Sequence, residues 1–367
     1  MEGLSRRRLV GLTAALPLLG QVSWAASAPD TDAPGAAQLP VRLNFNESPW
    51  GPSASARAAM HEGIAGCGRY PYPLQYALID TFARQHAVPE DNVQVFCGSK
   101  LALQYAVHAF TGARSLVVPE PSYEAPVDTA QTRDTTVHAV ALDARHAHDV
   151  DAMLAVRPAP GMIYVCNPNN PTGTVTPAAA LERLIAKAPS DTVVVVDEAY
   201  IHFSDAPSCI PLVKAHANLL VLRTFSKLYG MAGARVGLAI GQPALLEALE
   251  AFDGYNVAAE PSLRGALASL QCTGLVAQRK QDNQRLRDAT VNRLTAAGWR
   301  CTASQANCFM VDVRQPADAV VKALAEAQVK VGRVWSSWPT WIRVSVGDAA
   351  QMQHFEAALF QVLGQAE

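Results

Sequence analysis

Charge is scarce in this 367-residue chain: only 17% of its residues are Asp, Glu, Lys or Arg, and 30 basic side chains nearly cancel 32 acidic ones. A net charge of −2 gives no whole-molecule field to draw in nucleic acid, and no stripe of Lys and Arg supplies one locally, so no nucleic-acid partner is expected. Neither Gly-x-Gly-x-x-Gly after a β-rich run nor Gly-x-x-x-x-Gly-Lys-Ser/Thr occurs, which argues against the two commonest nucleotide cradles. The seven cysteines (Cys67, Cys97, Cys166, Cys209, Cys272, Cys301 and Cys308) include no Cys-x-x-Cys pair, so a thioredoxin-like or zinc-ribbon site is absent. Cys97 and Cys166 lie in apolar runs and read as small buried hydrophobes. Among the histidines only His146 and His148, with His138 nearby, are grouped. Their polar surroundings read as a solvated loop, and no metal site is expected. Repeats, low-complexity tracts and charge blocks are lacking too. What is plentiful is apolar material, half of all residues, enough for a sizeable core in one large domain or two unequal ones.

The first 28 residues differ from the rest. Ser5-Arg6-Arg7-Arg8 precedes an apolar run from Leu9 to Trp24, and small residues follow up to Ala28. A basic head, an apolar middle and a small-residue exit make a signal peptide, and the paired arginines resemble a twin-arginine export signal. The alternative is a membrane anchor, but the 16-residue run is shorter than the roughly 20 that a spanning helix needs, and Gly11, Pro17 and Gly20 interrupt it. No later run is long and apolar enough to span, so no stable membrane insertion is expected. Export by the twin-arginine machinery to a periplasm would suit a protein that folds before crossing. Residues 29–69 read as a linker and N-terminal arm.

From there β-rich runs alternate with helical stretches. The runs are Val93–Cys97, Ser115–Val118, Thr136–Leu142, Met162–Cys166, Val193–Asp197, Leu219–Arg223 and Val236–Ile240; between them lie stretches such as Leu74–His86, Ser99–Phe110 and Pro177–Ala188. Continuous apolar strands such as Val193-Val194-Val195-Val196 predict an α/β fold with a mostly parallel seven-stranded sheet covered on both faces, over residues 70–259. A long helical stretch from Glu260 to Ala297, broken near Gly274, opens a smaller α+β unit over 260–367. Its strands are predicted at Cys308–Val313, Val329–Val334 and Trp341–Val346, with helices at Ala317–Ala327 and Ala349–Leu363. The cluster Gly63, Gly66 and Gly68 reads as a flexible turn.

Ligands of such sheets sit beyond the carboxyl ends of the strands. Three predicted ends carry unusual residues: Asn167-Pro168-Asn169-Asn170-Pro171-Thr172-Gly173, then Asp197-Glu198-Ala199-Tyr200, then Thr224-Phe225-Ser226-Lys227 with Arg235 following. A lone Asp there is usually a cap and a lone Lys is usually solvated, but the set is specific. A desolvated lysine becomes a nucleophile for carbonyls. Hydroxyls beside an arginine at a helix start cradle phosphate. A buried carboxylate can hold a pyridinium proton. Pyridoxal phosphate needs all three.

Together these segments, with Leu43-Asn44-Phe45-Asn46-Glu47-Ser48-Pro49 and Arg69-Tyr70-Pro71, resemble the fold-type I aminotransferases, class I/II, and most closely the histidinol-phosphate aminotransferase branch. The resemblance runs from about Leu43 to Gly347. It implies that Lys227 carries the cofactor covalently through its amine and later moves the proton, with Asp197 on the pyridine nitrogen. Tyr200 and Asn170 would bond the ring oxygen, while Thr224, Ser226, Arg235, Gly98 and Ser99 would bind the phosphate. Tyr123 would stack on the ring. Tyr70 would reach the phosphate of a neighbouring subunit, which implies a homodimer. Arg343 would clamp the substrate carboxylate, Arg333 would take a second anion, and Asn46 would line the entrance. Bland readings stay open for four of these: Ser99 as a helix cap, Tyr70 as core, Arg333 as a solvated cation, and Asn46 as structural. Two positions depart from the family pattern. Lys100 follows Ser99 where acidic or small residues are usual, and Pro126 stands where relatives that use histidinol phosphate often place a second aromatic. The expected activity is transfer of an α-amino group between an L-amino acid, or an amino-alcohol phosphate, and a 2-oxo acid. A decarboxylase or lyase on the same scaffold, or a cofactor-binding regulator without activity, are the alternatives.

Overall fold

A computed structural model describes residues 39–254 and 256–364. The signal peptide assigned to Met1–Ala28, and the linker as far as residue 38, lie outside these. Among the described residues the strands are β1 (Val41–Leu43), β2 (Val93–Phe96), β3 (Leu116–Glu120), β4 (Val137–Ala141), β5 (Met162–Cys166), β6 (Val193–Asp197), β7 (Leu219–Thr224), β8 (Gly237–Ile240), β9 (Arg300–Cys301), β10 (Cys308–Asp312), β11 (Val329–Val331) and β12 (Trp341–Ser345).

Seven of them form one sheet in the order β2-β8-β7-β6-β5-β3-β4. The pairs β3–β4, β3–β5, β5–β6 and β6–β7 are parallel, while β8 runs antiparallel to both β7 and β2. Every residue of β5, β6, β7 and β8 is buried. That is why these strands read as unbroken apolar runs instead of alternating ones. Helices supply the covers. In Ala178–Lys187, for example, Leu181, Leu184 and Ile185 are buried at the three-to-four-residue spacing of one helix face.

A second core gathers Leu43, Phe309, Val311, Ile342, Val344 and Phe355. It joins the antiparallel sheet β12-β10-β9 to the parallel pair β1-β11, in which Val41 faces Val329 in register. The N-terminal arm thus contributes a strand to the C-terminal core. The long helical stretch is two helices, Glu260–Gln271 and Leu275–Ala296, parted where Gly274 takes φ 81°. Leu263 and Ala266 pack in the large core, and the second helix passes from that core at Leu275 to the smaller one at Leu286 and Leu294.

Two readings of local sequence are corrected. The glycine cluster is an open turn only at Gly68: Ile64–Gly66 is a single 3₁₀ turn, and a Cβ on Gly63 would lie 2.8 Å from Pro261 Cα, one on Gly66 2.1 Å from Glu260 Oε2. Bare backbone there lets the helix Ala54–Gly63 seat against Glu260–Gln271. Nor do the histidines stand in a solvated loop. His148 is buried with Nδ1 2.7 Å from Thr176 Oγ1, and His146 packs edge-on against Trp338 and Trp341. Among the described residues no group of three or more His, Cys, Asp or Glu could hold a metal ion, and no helix is long and apolar enough to cross a membrane. All seven cysteines are free thiols.

Candidate active site

The carboxyl ends of β5, β6 and β7 lie side by side, with Cys166 opposite Asp197 and Asp197 opposite Leu222. Strand alternation sends consecutive acids to opposite sides. Asp197 faces a cavity of about 290 Å³. Glu198 points away, into a buried pair with Arg223 Nε at 2.8 Å, and also accepts from Ser208 Oγ and Cys209 N. Tyr164 Oη and Ala199 N each donate to the Asp197 carboxylate at 3.1 Å. Burial nonetheless pushes Asp197 up to about 6, against the pull of those donors and of Lys227.

Beyond β5, Asn169 locks the turn. Its amide donates to Pro121 O at 3.1 Å and Thr172 Oγ1 at 3.0 Å, and its Oδ1 accepts from Ser122 Oγ at 2.8 Å. The next residue, Asn170, is left facing the cavity. Beyond β7, Lys227 donates to the carbonyls of Phe45 and Asn46 at 3.0 and 3.1 Å. Burial first, and then the Arg343 charge, lower its ammonium to about 8.

An anion cradle forms at one end of the cavity. Thr224 Oγ1 donates to Ser226 Oγ at 2.9 Å, and Arg235 Nη1 reaches the same oxygen at 3.3 Å. Arg235 sits in the left-handed region at φ 56°. Its guanidinium lies over Gly98, where a Cβ would stand 2.1 Å from Nη2. The helix Ser99–Phe110 starts at that glycine, so its first backbone N–H groups open toward the cradle, and Ser99 and Lys100 line the wall.

At the opposite end Arg343 is buried on β12. Its Nη1 donates to Asn170 Oδ1 at 2.9 Å, Nη2 donates to Asn44 O, and Nε has no partner. Asn46, at φ 53°, donates from its amide to Tyr200 Oη at 3.1 Å, Cys308 Sγ at 3.2 Å and Asn170 Oδ1 at 3.3 Å. Its Oδ1 accepts from Ser345 at 3.0 Å. Asn46 is therefore built into the wall and ties the arm to both cores. Tyr123 also lines the cavity, and burial, with Asp197 adding, pushes its phenol up to about 12. Arg333 reaches the cavity too, but it is ion-paired with Glu124 and stacked 4.6 Å over the buried Trp335 ring, so it is not a free cation.

Asn46, Ser99, Tyr123, Asn170, Asp197, Tyr200, Thr224, Ser226, Lys227, Arg235, Arg333 and Arg343 thus come together around one cavity, with Gly98 beneath it. Tyr70 does not join them; it is 79% exposed, with its ring 6.1 Å from that of Tyr72. Sequence reasoning missed Tyr164, Glu124, Trp335, Cys308 and Ser345. A tyrosine inside an apolar strand, whose hydroxyl needs a partner when buried, was a usable signal for Tyr164; the others carry none. The donor set fits pyridoxal phosphate. It offers a buried carboxylate for a ring N–H, an amine with a lowered pKa, an anion cradle at a helix start, and a buried guanidinium with an unpartnered N–H.

The model of the family "Aminotransferase class I and II" matches residues 24–359. An aromatic amino acid aminotransferase of Rhodococcus jostii is 37% identical over 341 residues, covering 90% of this chain and 91% of that protein. Histidinol-phosphate aminotransferase 1 of Cupriavidus pinatubonensis is 35% identical over 88% of each. The crystal structure of histidinol-phosphate aminotransferase from Sinorhizobium meliloti, in complex with pyridoxal-5'-phosphate, matches with a TM-score of 0.82 at 25% identity, over 89% of this chain and 91% of that one. Family, relatives and fold all agree with the cavity, and the chain belongs to the class I and II aminotransferases, as a pyridoxal-phosphate-dependent enzyme.

Proposed function

We propose that the donor is an L-amino acid or amino-alcohol phosphate whose anionic end docks on Arg343, and that a 2-oxo acid accepts the amino group. The observation that carries this is the buried Arg343 guanidinium, whose Nε is unpartnered and whose Nη1 is aimed by Asn170. A planar fork in that position matches a carboxylate bidentately.

When bound, pyridoxal phosphate supplies a carbonyl that condenses with amines and a ring that draws electron density from the bonds at Cα. The protein's own groups do the rest. The hydroxyls of Thr224 and Ser226, the Arg235 guanidinium and the first N–H groups of Ser99–Phe110 hold the phosphate end. Asp197, ionised above about pH 6, accepts the ring N–H and favours its positive charge. Tyr200 and Asn170, held by Asn46, set the hydrogen-bonding edge for the ring oxygen. Lys227 is poised near neutrality. It serves both as nucleophile and as the base that takes and returns the substrate proton.

A homodimer is part of the proposal. Ile64, Tyr70, Tyr72 and Tyr76 are exposed within one short segment, and Tyr70 stands outside its own chain's cavity. Export by a twin-arginine signal rests on the residues from Ser5 to Trp24. The functional reading is tested by following oxo-acid formation from a panel of amino donors with 2-oxoglutarate or pyruvate as acceptor. Stoichiometric amination of the acceptor supports it; carbon dioxide release, or no product from any donor, contradicts it.

A further inference from the structure

Between the end of β3 and the segment before β12 the chain makes a clasp. Ser337 Oγ donates to Glu120 Oε1 at 2.5 Å, Trp335 Nε1 donates to Ser122 O at 3.1 Å, and Arg333 pairs with Glu124. Alternate residues on one side thus meet alternate residues on the other in antiparallel order. Glu124 directly follows the cavity-lining Tyr123, so the third contact of the clasp stands at the cavity wall. There Arg333 is held between the Glu124 carboxylate and the face of Trp335, and Arg343 also lies 5.5 Å from that ring. Of the two arginines beside Trp335, Arg333 therefore has a carboxylate partner and Arg343 has none.

We infer that Glu124 is a specificity-determining residue: by neutralising Arg333 it makes the side-chain end of the substrate pocket reject phosphate and carboxylate and favour an uncharged, ring-bearing side chain. A distal anion would have to displace Glu124 from Arg333 or sit beside its like charge, whereas a ring can lie against the aromatic side chains Tyr123 and Phe45 that line the same cavity. This rests on the aminotransferase reading, because it takes the substrate's other end to lie on Arg343.

The test uses the holoenzyme and two unreactive carboxylates, 3-phenylpropionate and 3-phosphonopropionate, with dissociation constants measured by calorimetry. Wild type should bind the phenyl compound more tightly. Glu124→Gln should shift the ratio of the two constants toward the phosphonate by about two- to fivefold, the size of a partly exposed charge contact. Glu124→Gln combined with Arg333→Gln should cancel that shift. The ratio of kcat/KM for phenylalanine to that for glutamate, which carries a distal carboxylate, should move in parallel. An unchanged binding ratio, or a shift that survives removal of Arg333, overturns the role of Glu124 while leaving transamination standing. Absence of any amino transfer by wild type overturns both.

Discussion

Asp197 is a carboxylate in a place that works against its charge. Its folded pKa of about 6 lies above the ordinary 3.8 because burial outweighs two hydrogen bonds. A raised carboxyl pKa gives stability that is present below pH 4 and is lost as pH rises through 6. In the cofactor-free protein, Asp197→Asn should therefore raise the unfolding free energy at pH 8 by up to about 3 kcal/mol, and by little at pH 4. Denaturant titration at both pH values checks this, and equal effects at the two would contradict it. The same variant should lose transamination by on the order of 10²-fold or more, since an amide cannot favour a charged ring nitrogen. At the other end of the site, Arg343→Lys keeps the charge but loses the fork. It should raise KM for the donor by on the order of 10-fold to 100-fold, with a smaller change in kcat. Steady-state kinetics decides, and a purely kcat effect would move Arg343 out of substrate binding.

At the level of elements, the cradle depends on how closely one helix start approaches one loop. Gly98 has φ 95° and leaves no room for a Cβ under Arg235. Gly98→Ala should push the guanidinium aside and strain the helix start, weakening cofactor retention by at least about tenfold. Titrating the apoprotein with pyridoxal phosphate measures it; unchanged affinity would show that Arg235 does not hold the phosphate end. Much of this level was legible in the chain. Parallel strands announce themselves as apolar runs, and their ends carried Asn170, Asp197, Thr224, Ser226 and Lys227 within contiguous motifs. What stayed hidden depends on juxtaposition. Tyr164 meets Asp197 only because β5 and β6 are neighbours, and Glu124 meets Arg333 only through the clasp. β1 and β9 have three and two residues, too few to show a period. Helices Ala125–Gln131 and Val150–Ala155 are likewise short. The polar context of His146 and His148 misled because it does not record that Thr176 and two tryptophans fold over them.

On the scale of the whole molecule, one cavity is closed by two cores. The large sheet supplies Asp197, Asn170 and Lys227, the smaller core supplies Arg343, and the N-terminal arm bonds to both sides through Asn46. Any slippage between the cores would therefore move the carboxylate-binding arginine relative to the amine. The exposed Ile64, Tyr70, Tyr72 and Tyr76 segment predicts a dimer, so sedimentation equilibrium at micromolar concentration should give twice the chain mass. A monomer at that concentration would contradict the assembly and the role of Tyr70 in a neighbour's site. The most direct test of the account is the visible spectrum of the purified holoenzyme beside Lys227→Ala, with and without amino donor. Wild type should show a band from the Lys227-bound cofactor that bleaches with donor and returns with 2-oxo acid. Lys227→Ala should lack that band and turn over on the order of 10³-fold more slowly. A wild-type protein with no band after adding pyridoxal phosphate, or equal turnover by Lys227→Ala, would contradict it.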